Sequence, residues 1–185
     1  RQIICGSGVI PGWDEVNYKE MVDEENGALY CIYQVGDGSD LVEVSRYIYS
    51  DTIKNNTFYL PNDLQGNGIG LRLLLQEVSI GINYGMKHIE TYAMDGDDIG
   101  YHVWPRMGFD GEVFVGSRRD TRESSCQLPT IHNGRTKMLV SEYIKKFGQQ
   151  SWIEFGVAFC GILDLQPESY SMKTLYNYAQ NKGVL

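Results

Sequence analysis

Features that mark several protein classes are scarce in this chain of 185 residues. No apolar run reaches the roughly 18 residues that a membrane-spanning helix needs, so we expect no membrane partner. The four cysteines form no Cys-x-x-Cys pair, and the three histidines share no ligand spacing. These patterns argue against a metal site and against a disulfide scaffold, and they favour buried, reduced thiols.

Basic residues are also in deficit. Lysine and arginine together number 16 against 24 acidic residues, which gives a net charge of -8. A nucleic-acid-binding protein usually carries a basic face, so no nucleic-acid partner is expected. The hydrophobic share of 42% and the charged share of 22% are typical of a globular chain that buries a core. They exclude a disordered tail, a collagen-like chain and a coiled coil.

The first residues carry no targeting signal that we recognise. The chain begins at Arg1, and Arg1 to Gly12 has neither a long apolar run nor a small-residue cleavage site. We therefore expect a cytoplasmic or virion-associated protein. The start at Arg1 also suggests a fragment, a processed product or a piece of a larger assembly or parent polypeptide.

Apolar patterning predicts the elements of the first part of the chain. A short helix is predicted around Trp13 to Met21. Strands are predicted at Ala28–Val35, Leu41–Tyr49, Thr57–Leu60, His88–Met94 and Glu112–Gly116. Between the third and fourth strands, apolar residues from Leu71 to Ile82 recur at helical spacing and predict a helix.

The polar segment Ser117 to Ser125 predicts an exposed linker. It divides the chain into residues 1–120 and a mainly helical C-terminal extension, 121–185. The extension is rich in large apolar residues, which must pack against the first part. Within it, Ala158 to Leu165 is either a strand or a buried helix, and Ser169 is placed to cap the final helix.

A glycine-rich loop precedes the helix that starts near Leu71. It reads Gln65-Gly66-Asn67-Gly68-Ile69-Gly70. A strand, a glycine turn and a helix present unpaired backbone N–H groups at the positive end of the helix, which suits a phosphate. The loop is not a P-loop, because Leu71 and Arg72 stand where lysine and a hydroxyl residue are needed. It also lacks the third glycine of a dinucleotide fingerprint.

The pattern that does fit is Gln/Arg-x-x-Gly-x-Gly/Ala, which Gln65, Gly68 and Gly70 meet in full. A second motif follows at the expected distance, from Asp97 to Gly108-Phe109. With these motifs, residues 28–116 resemble the GNAT family of N-acetyltransferases. The resemblance implies an α/β fold with a mixed, mainly antiparallel twisted sheet flanked by helices.

The resemblance also implies acetyl-CoA as co-substrate. In this family the loop holds the coenzyme pyrophosphate through main-chain amides, and a strand amide near Tyr92 or Met94 would polarise the thioester carbonyl. Carried over to this sequence, the expected coenzyme-binding residues are Gln65, Gly66, Asn67, Gly68, Ile69, Gly70, Leu71 and Arg72.

The second motif departs from the family pattern at the acid. Trp104 stands where the family often has a tyrosine, and an indole N–H is no proton-transfer acid near neutral pH. Tyr101 lies one helical turn earlier, so it is the candidate general acid, with a packed aromatic as the alternative. His102 is a second candidate, with a surface or hydrogen-bonded histidine as the alternative.

The general base is less clear, because the strand before the loop has no acidic residue in Thr57–Leu60. Glu90 is the candidate base, and Glu43 and Asp63 are alternatives; each is also compatible with a solvated charge.

Two hypotheses for the function of the chain follow. The chain transfers acetyl from acetyl-CoA to a primary amine by direct attack, or it is a GNAT-fold structural or interaction module. The C-terminal pattern resembles extensions in phage and mobile-element polypeptides, which would suit the second hypothesis.

Overall fold

The computed structural model describes residues 17–25, 27–36, 41–94, 100–115, 123–124 and 136–185. Their strands are β1 (Asn17–Asp23), β2 (Ala28–Val35), β3 (Val42–Ile48), β4 (Thr52–Tyr59), β5 (His88–Ala93), β6 (Glu112–Val115), β7 (Glu123–Ser124), β8 (Thr136–Leu139) and β9 (Phe159–Asp164). Their helices are α1 (Ile69–Asn83), α2 (Gly100–Val103), α3 (Val140–Phe147), α4 (Gln149–Phe155) and α5 (Tyr170–Asn181). A 3-10 helix, Trp104–Met107, follows α2 directly.

The main sheet has six strands in the order β1-β2-β3-β4-β5-β9. Every neighbouring pair is antiparallel except β4 and β5, which are parallel. A smaller sheet has the order β7-β6-β8. The prediction of a mixed, mainly antiparallel sheet flanked by helices is therefore confirmed.

The core lies between the main sheet and the helices. At one end, Cys31 and Tyr33 of β2 and Val44 of β3 pack with Leu73 of α1. A larger cluster joins the inward side chains of β4, β5 and β9 to residues of α1, α4 and α5. Alternate residues of the strands point into this core, as Phe159, Gly161 and Leu163 of β9 do. The helices thus pack on the main sheet through their apolar faces, and this packing holds α1 against β4 and β5.

The C-terminal part completes the main sheet. Residues 159–164 form β9, so the strand alternative for Ala158–Leu165 is correct, and β9 pairs with β5 along its whole length. The predicted boundary near residue 120 lies outside the described residues and stays a prediction. Of the predicted linker, residues 123–124 are described, and they form the short strand β7, which pairs with β6.

Two local predictions need correction. Residues 17–23 form strand β1 instead of continuing a helix from Trp13, because the whole segment pairs with β2; Trp13 itself lies outside the described residues. The expectation of reduced thiols holds for Cys31, which is buried and forms no disulfide. It is wrong for Cys160, which is disulfide-bonded. Cys5 and Cys126 lie outside the described residues.

None of the helices in the described ranges is both long and apolar enough to cross a membrane. Among the same residues, no group of three histidine, cysteine, aspartate or glutamate side chains is placed to hold a metal ion.

The predicted cap of α5 is confirmed and gives a first test. The Ser169 hydroxyl oxygen accepts a hydrogen bond from the Met172 amide at 3.1 Å and donates one to the Asp164 carbonyl at 2.8 Å. We expect Ser169→Ala to lower the free energy of unfolding by about 1 kcal/mol, because a helix amide loses its partner. Urea denaturation measures this, with Ser169→Thr as the control that keeps the hydroxyl. Equal stability of the alanine and threonine variants would contradict the cap.

Candidate functional site

The parallel pairing of β4 with β5 is short. Thr52 to Asn55 pair with His88 to Thr91, and no pairing between the two strands follows in the described chain. Beyond that point β4 continues to Tyr59 on β3, and β5 continues to Ala93 on β9. The facing edges of β4 and β5 therefore part inside the sheet and leave a gap, which we call the split. Backbone N–H and C=O groups along its edges are open to a partner.

A β-bulge explains where the split begins. The β3–β4 pairs are Arg46 with Asn55 and then Ser45 with Thr57, so Asn56 is the extra residue on β4. A bulge bends its strand and increases the local twist. The Asn56 amide nitrogen also donates to the Ser45 hydroxyl at 3.1 Å, which ties the bulge to β3. The bulge thus turns β4 away from β5 directly after their last pair.

The glycine loop lies between the end of β4 and the start of α1. Gly66 and Gly68 have φ angles of 77° and 76°, values at which a side chain would strain the backbone. Gly68 is the N-cap of α1, and no side chain caps the helix. Within the described chain, none of the backbone N–H groups from Gly66 to Leu71 donates to another group; the Arg72 amide is the first that does, to the Gly68 carbonyl. These open amides lie at the positive end of a 15-residue helix.

The polar side chains of the loop hold the loop itself. The Gln65 amide donates to the Leu60 carbonyl at 2.9 Å and to the Asn62 side-chain oxygen at 3.2 Å. The Asn67 amide donates to the Asp63 carbonyl at 3.1 Å. The structure therefore gives Gln65 and Asn67 a part in shaping the loop.

The first turn of α1 faces two ways. Leu71 is buried in the core, and Ile69 is half-buried against it. A side chain at Gly70 would come within 3.4 Å of both Phe58 and Leu60, so glycine lets α1 approach the end of β4 closely. Arg72 is exposed on the same turn and places a positive charge beside the open amides. The predicted coenzyme-binding residues thus lie together at one helix end, beside the split.

The candidate acid is held by a hydrogen bond. Tyr101 donates its hydroxyl proton to the Ile153 carbonyl at 2.8 Å, and its own carbonyl accepts from the Trp152 indole at 2.8 Å. These contacts dock α4 on α2 and give Tyr101 a packing role. Its role as general acid stays a prediction, and Asp97 of the same motif lies outside the described residues.

Trp104 is a core residue. It is 8% exposed and packs edge-on against Phe58 at 5.5 Å and Phe109 at 4.9 Å between ring centroids. The neighbouring His102 is half-buried, and burial, followed by the charge of Arg106, lowers the pKa of its imidazole from 6.5. Both effects favour the neutral imidazole.

The candidate base lies close to the start of the split. Glu90 pairs with Lys54 in the β4–β5 ladder, one residue before Thr91, which belongs to the last pair. Its carboxylate accepts from the His88 Nε2 at 3.1 Å, and that nitrogen is also 3.1 Å from the Thr52 hydroxyl. The side chain of Glu90 is half-exposed, so it remains accessible to a substrate.

The alternative bases are less well placed. Glu43 lies opposite Tyr59 on the far side of β4 and accepts from the Gln34 amide at 2.7 Å. Asp63 lies in the turn that leads into the glycine loop, where its backbone carbonyl accepts a hydrogen bond from the Asn67 side-chain amide. The structure therefore brings Glu90, among the candidates, nearest to the point where β4 and β5 separate.

A buried polar cluster beneath the split was not predicted. Arg46 of β3 donates through Nε to the Asn55 side-chain oxygen at 2.9 Å and lies 3.1 Å from a Glu77 carboxylate oxygen. The Asn55 amide nitrogen donates to the other Glu77 oxygen at 3.3 Å. Burial raises the pKa of Glu77, and Arg46 and Asn55 oppose that rise. The sequence does hold a signal: Arg46 follows Val42 and Val44 in alternation, and Glu77 lies on the apolar face of α1.

The packing role of Tyr101 is testable through stability. We expect Tyr101→Phe to lower the free energy of unfolding by about 1 kcal/mol, because the Ile153 carbonyl loses a hydrogen-bond donor in a partly buried place. Chemical denaturation measures the change. Tyr84→Phe is the control, since Tyr84 is 60% exposed, and we expect no change there. A Tyr101→Phe variant as stable as the wild type would show that the hydrogen bond contributes nothing.

No protein-family model and no curated protein matches this chain. Among solved structures, it is similar to the PaiA N-acetyltransferase from Thermoplasma acidophilum in complex with coenzyme A, at 15% identity and a TM-score of 0.38, over 63% of this chain and 62% of that one. It is also similar to a protein from Agrobacterium tumefaciens assigned as an acetyltransferase, at 14% identity and a TM-score of 0.35, over 69% and 75%. Both likenesses are partial, so the fold assignment rests on the mixed, mainly antiparallel sheet of this chain, which is the architecture expected from its resemblance to the GNAT family.

Proposed function

We propose that this chain transfers an acetyl group from acetyl-CoA to a primary amine by direct attack. The observation that carries the proposal is the run of open main-chain amides from Gly66 to Leu71, placed at the start of α1 and next to the split. Acetyl-CoA carries a diphosphate and a long arm that contains amide groups. The loop offers a site for the diphosphate, and the neighbouring split offers backbone groups for the arm.

The loop suits the diphosphate of the coenzyme. Several amides of the loop and first turn offer donors to phosphate oxygens, and the helix end adds a partial positive charge. A Cβ built on Gly66 meets no atom within 4 Å, so the space in front of that residue is open to a ligand. Arg72 supplies a full positive charge on the same turn. Affinity at this site would come from the main chain and one arginine.

The split suits the arm that joins the diphosphate to the thioester. This arm contains two amide groups, and an extended amide chain can pair with an open strand edge as another strand does. The facing edges of β4 beyond Asn55 and β5 beyond Thr91 offer such groups. An arm lying there would place the thioester among the strand amides near Tyr92 and Met94, one of which would polarise its carbonyl.

The reaction then needs a neutral amine and a leaving thiolate. The nitrogen lone pair attacks the thioester carbon, the C–S bond breaks, and the amine proton passes to a base. Glu90 is the base we propose, because it is half-exposed beside the split. Holding the amine against the thioester can itself supply up to about 7–11 kcal/mol of the barrier reduction.

A second function is favoured by side chains of α2 and of the 3-10 helix that follows it. Trp104 is in the core, and the Tyr101 hydroxyl is bonded to the Ile153 carbonyl. Neither side chain is therefore poised to protonate a leaving thiolate. A GNAT-fold module that binds the coenzyme, or a partner, without transfer is the alternative. A shift in melting temperature with acetyl-CoA, but no transfer to a panel of primary amines, would favour it.

The loop assignment is tested by charge. We expect Gly66→Asp to weaken acetyl-CoA binding by at least tenfold, because a Cβ on Gly66 points into open space and the variant puts a carboxylate beside the loop amides. Gly85→Asp is the matched control: Gly85 has a φ of 73° and lies at the other end of the same helix, so it brings similar backbone strain without approaching the loop. Isothermal titration calorimetry measures the affinities. If Gly66→Asp binds acetyl-CoA as the Gly85→Asp control does, the diphosphate lies elsewhere.

The base assignment is tested by turnover. We expect Glu90→Gln to lower kcat/KM for the amine by about 100-fold or more and to leave acetyl-CoA affinity unchanged, because a proton acceptor is lost while the loop is intact. Glu43→Gln is the control, since Glu43 lies on β3 and is hydrogen-bonded to Gln34. Rates of Glu90→Gln equal to those of the wild type across the pH range would remove Glu90 from the mechanism.

A further inference from the structure

The buried cluster of Arg46, Asn55 and Glu77 lies at the apex of the split. Its members come from β3, β4 and α1, and they are 1%, 4% and 1% exposed. Asn55 is the last residue of β4 that pairs with β5, and it is also the last before the bulge at Asn56. The cluster therefore holds the one residue after which β4 changes direction.

Stability alone is a weak explanation for such a cluster. Removing charges from water is costly, and well-packed apolar residues in place of a buried ion pair are often as stable or more stable. Buried polar groups instead contribute directional hydrogen bonds, which fix the positions of the side chains that they join. Each of the three side chains contacts the other two, and the Asn55 side chain uses both its oxygen and its nitrogen. Such a network fixes the conformation of Asn55, and with it the start of the bulge.

The cluster also connects the split to the glycine loop. Glu77 lies on α1, nine residues after the Gly68 cap, or about 13 Å along the helix axis. A helix transmits the position of one end to the other as a rod. The carboxylate of Glu77 thus anchors the helix that carries the open amides to the strand residue at which the gap opens.

We infer that Arg46, Asn55 and Glu77 form a positioning cluster that fixes where β4 parts from β5 and holds that point at a constant distance from the glycine loop. The inference rests on the proposed function for its catalytic consequence: the cluster would set the depth to which the coenzyme arm enters, and hence where the thioester stops. The three residues are positioning residues, because no side chain of the cluster is accessible to a ligand.

Asn55→Ala gives the direct test, because it keeps the Arg46–Glu77 ion pair and removes its link to β4. Hydrogen exchange followed by mass spectrometry or NMR compares the amides of segments 53–56 and 89–92 with those of the lower ladder near Thr52 and His88. We call segments 53–56 and 89–92, next to the split, the upper end, and the ladder near Thr52 and His88 the lower end. We expect amide exchange at the upper end to become at least tenfold faster relative to exchange at the lower end. Val78→Ala is the control, since Val78 is a buried apolar neighbour of Glu77 on α1; it should change both ends equally.

A second variant replaces the whole cluster by apolar residues, Arg46→Met with Asn55→Leu and Glu77→Leu. We expect it to fold with a melting temperature close to that of the wild type and to show the same faster exchange at the upper end. In both variants kcat should fall at least tenfold while the KM for acetyl-CoA changes less than threefold, because the loop still binds the diphosphate.

Unchanged relative exchange in both variants would overturn the inference, as would unchanged kcat in variants of an active wild-type enzyme. The exchange measurement needs no coenzyme, so it separates this inference from the proposed function. A wild-type chain that neither binds acetyl-CoA nor acetylates amines would defeat the proposed function, while a faster upper ladder in Asn55→Ala would still support the cluster as the device that sets the split.

Discussion

The four-residue parallel ladder between β4 and β5 is the constraint on which the other features of the site depend. Two consecutive strands can run parallel only if the chain crosses back over the sheet, and a helix is the usual crossover. Here that helix is α1, which packs on the sheet through Leu71, Leu74 and Val78. The crossover must leave β4 at its carboxyl end, so the open amides at the start of α1 necessarily come to lie at the end where the two strands have separated.

Because the chain is acidic, binding of an anionic coenzyme would depend on hydrogen bonds at short range. The chain carries a net charge of -8, and coenzyme A is itself an anion, so the overall field opposes binding. In physiological salt that field is screened over about 8 Å, whereas a main-chain amide acts at hydrogen-bond distance. Open amides of the loop, with Arg72 beside them, can therefore bind a diphosphate on an acidic protein. No broad basic surface is required.

Local sequence signals predicted some elements well and others poorly, for identifiable reasons. Ala28–Val35 is apolar apart from Gln34, and its predicted bounds are those of β2. The first half of β4 was missed because Lys54, Asn55 and Asn56 do not look like a strand; Asn55 is buried only because Arg46 and Glu77 satisfy its amide. The glycine loop was recognisable because its conformation depends on residues adjacent in sequence. The buried cluster was not, because its partners meet only after β3, β4 and α1 have assembled.

The pairing of β9 with β5 was equally beyond local patterns, and it changes how the C-terminal part relates to the site. β9 supplies the partner that keeps β5 extended once β4 has turned away, since Tyr92 pairs with Cys160 and Ala93 with Phe159 above the last β4–β5 pair. The segment after α5 then reaches the loop, where a Cβ built on Gly68 would lie 3.3 Å from the Val184 side chain. Gly68 is thus constrained both by its backbone angle and by the segment that follows α5. Residues 136–185 therefore support both edges of the proposed coenzyme site, one wall through β9 and the loop through Val184.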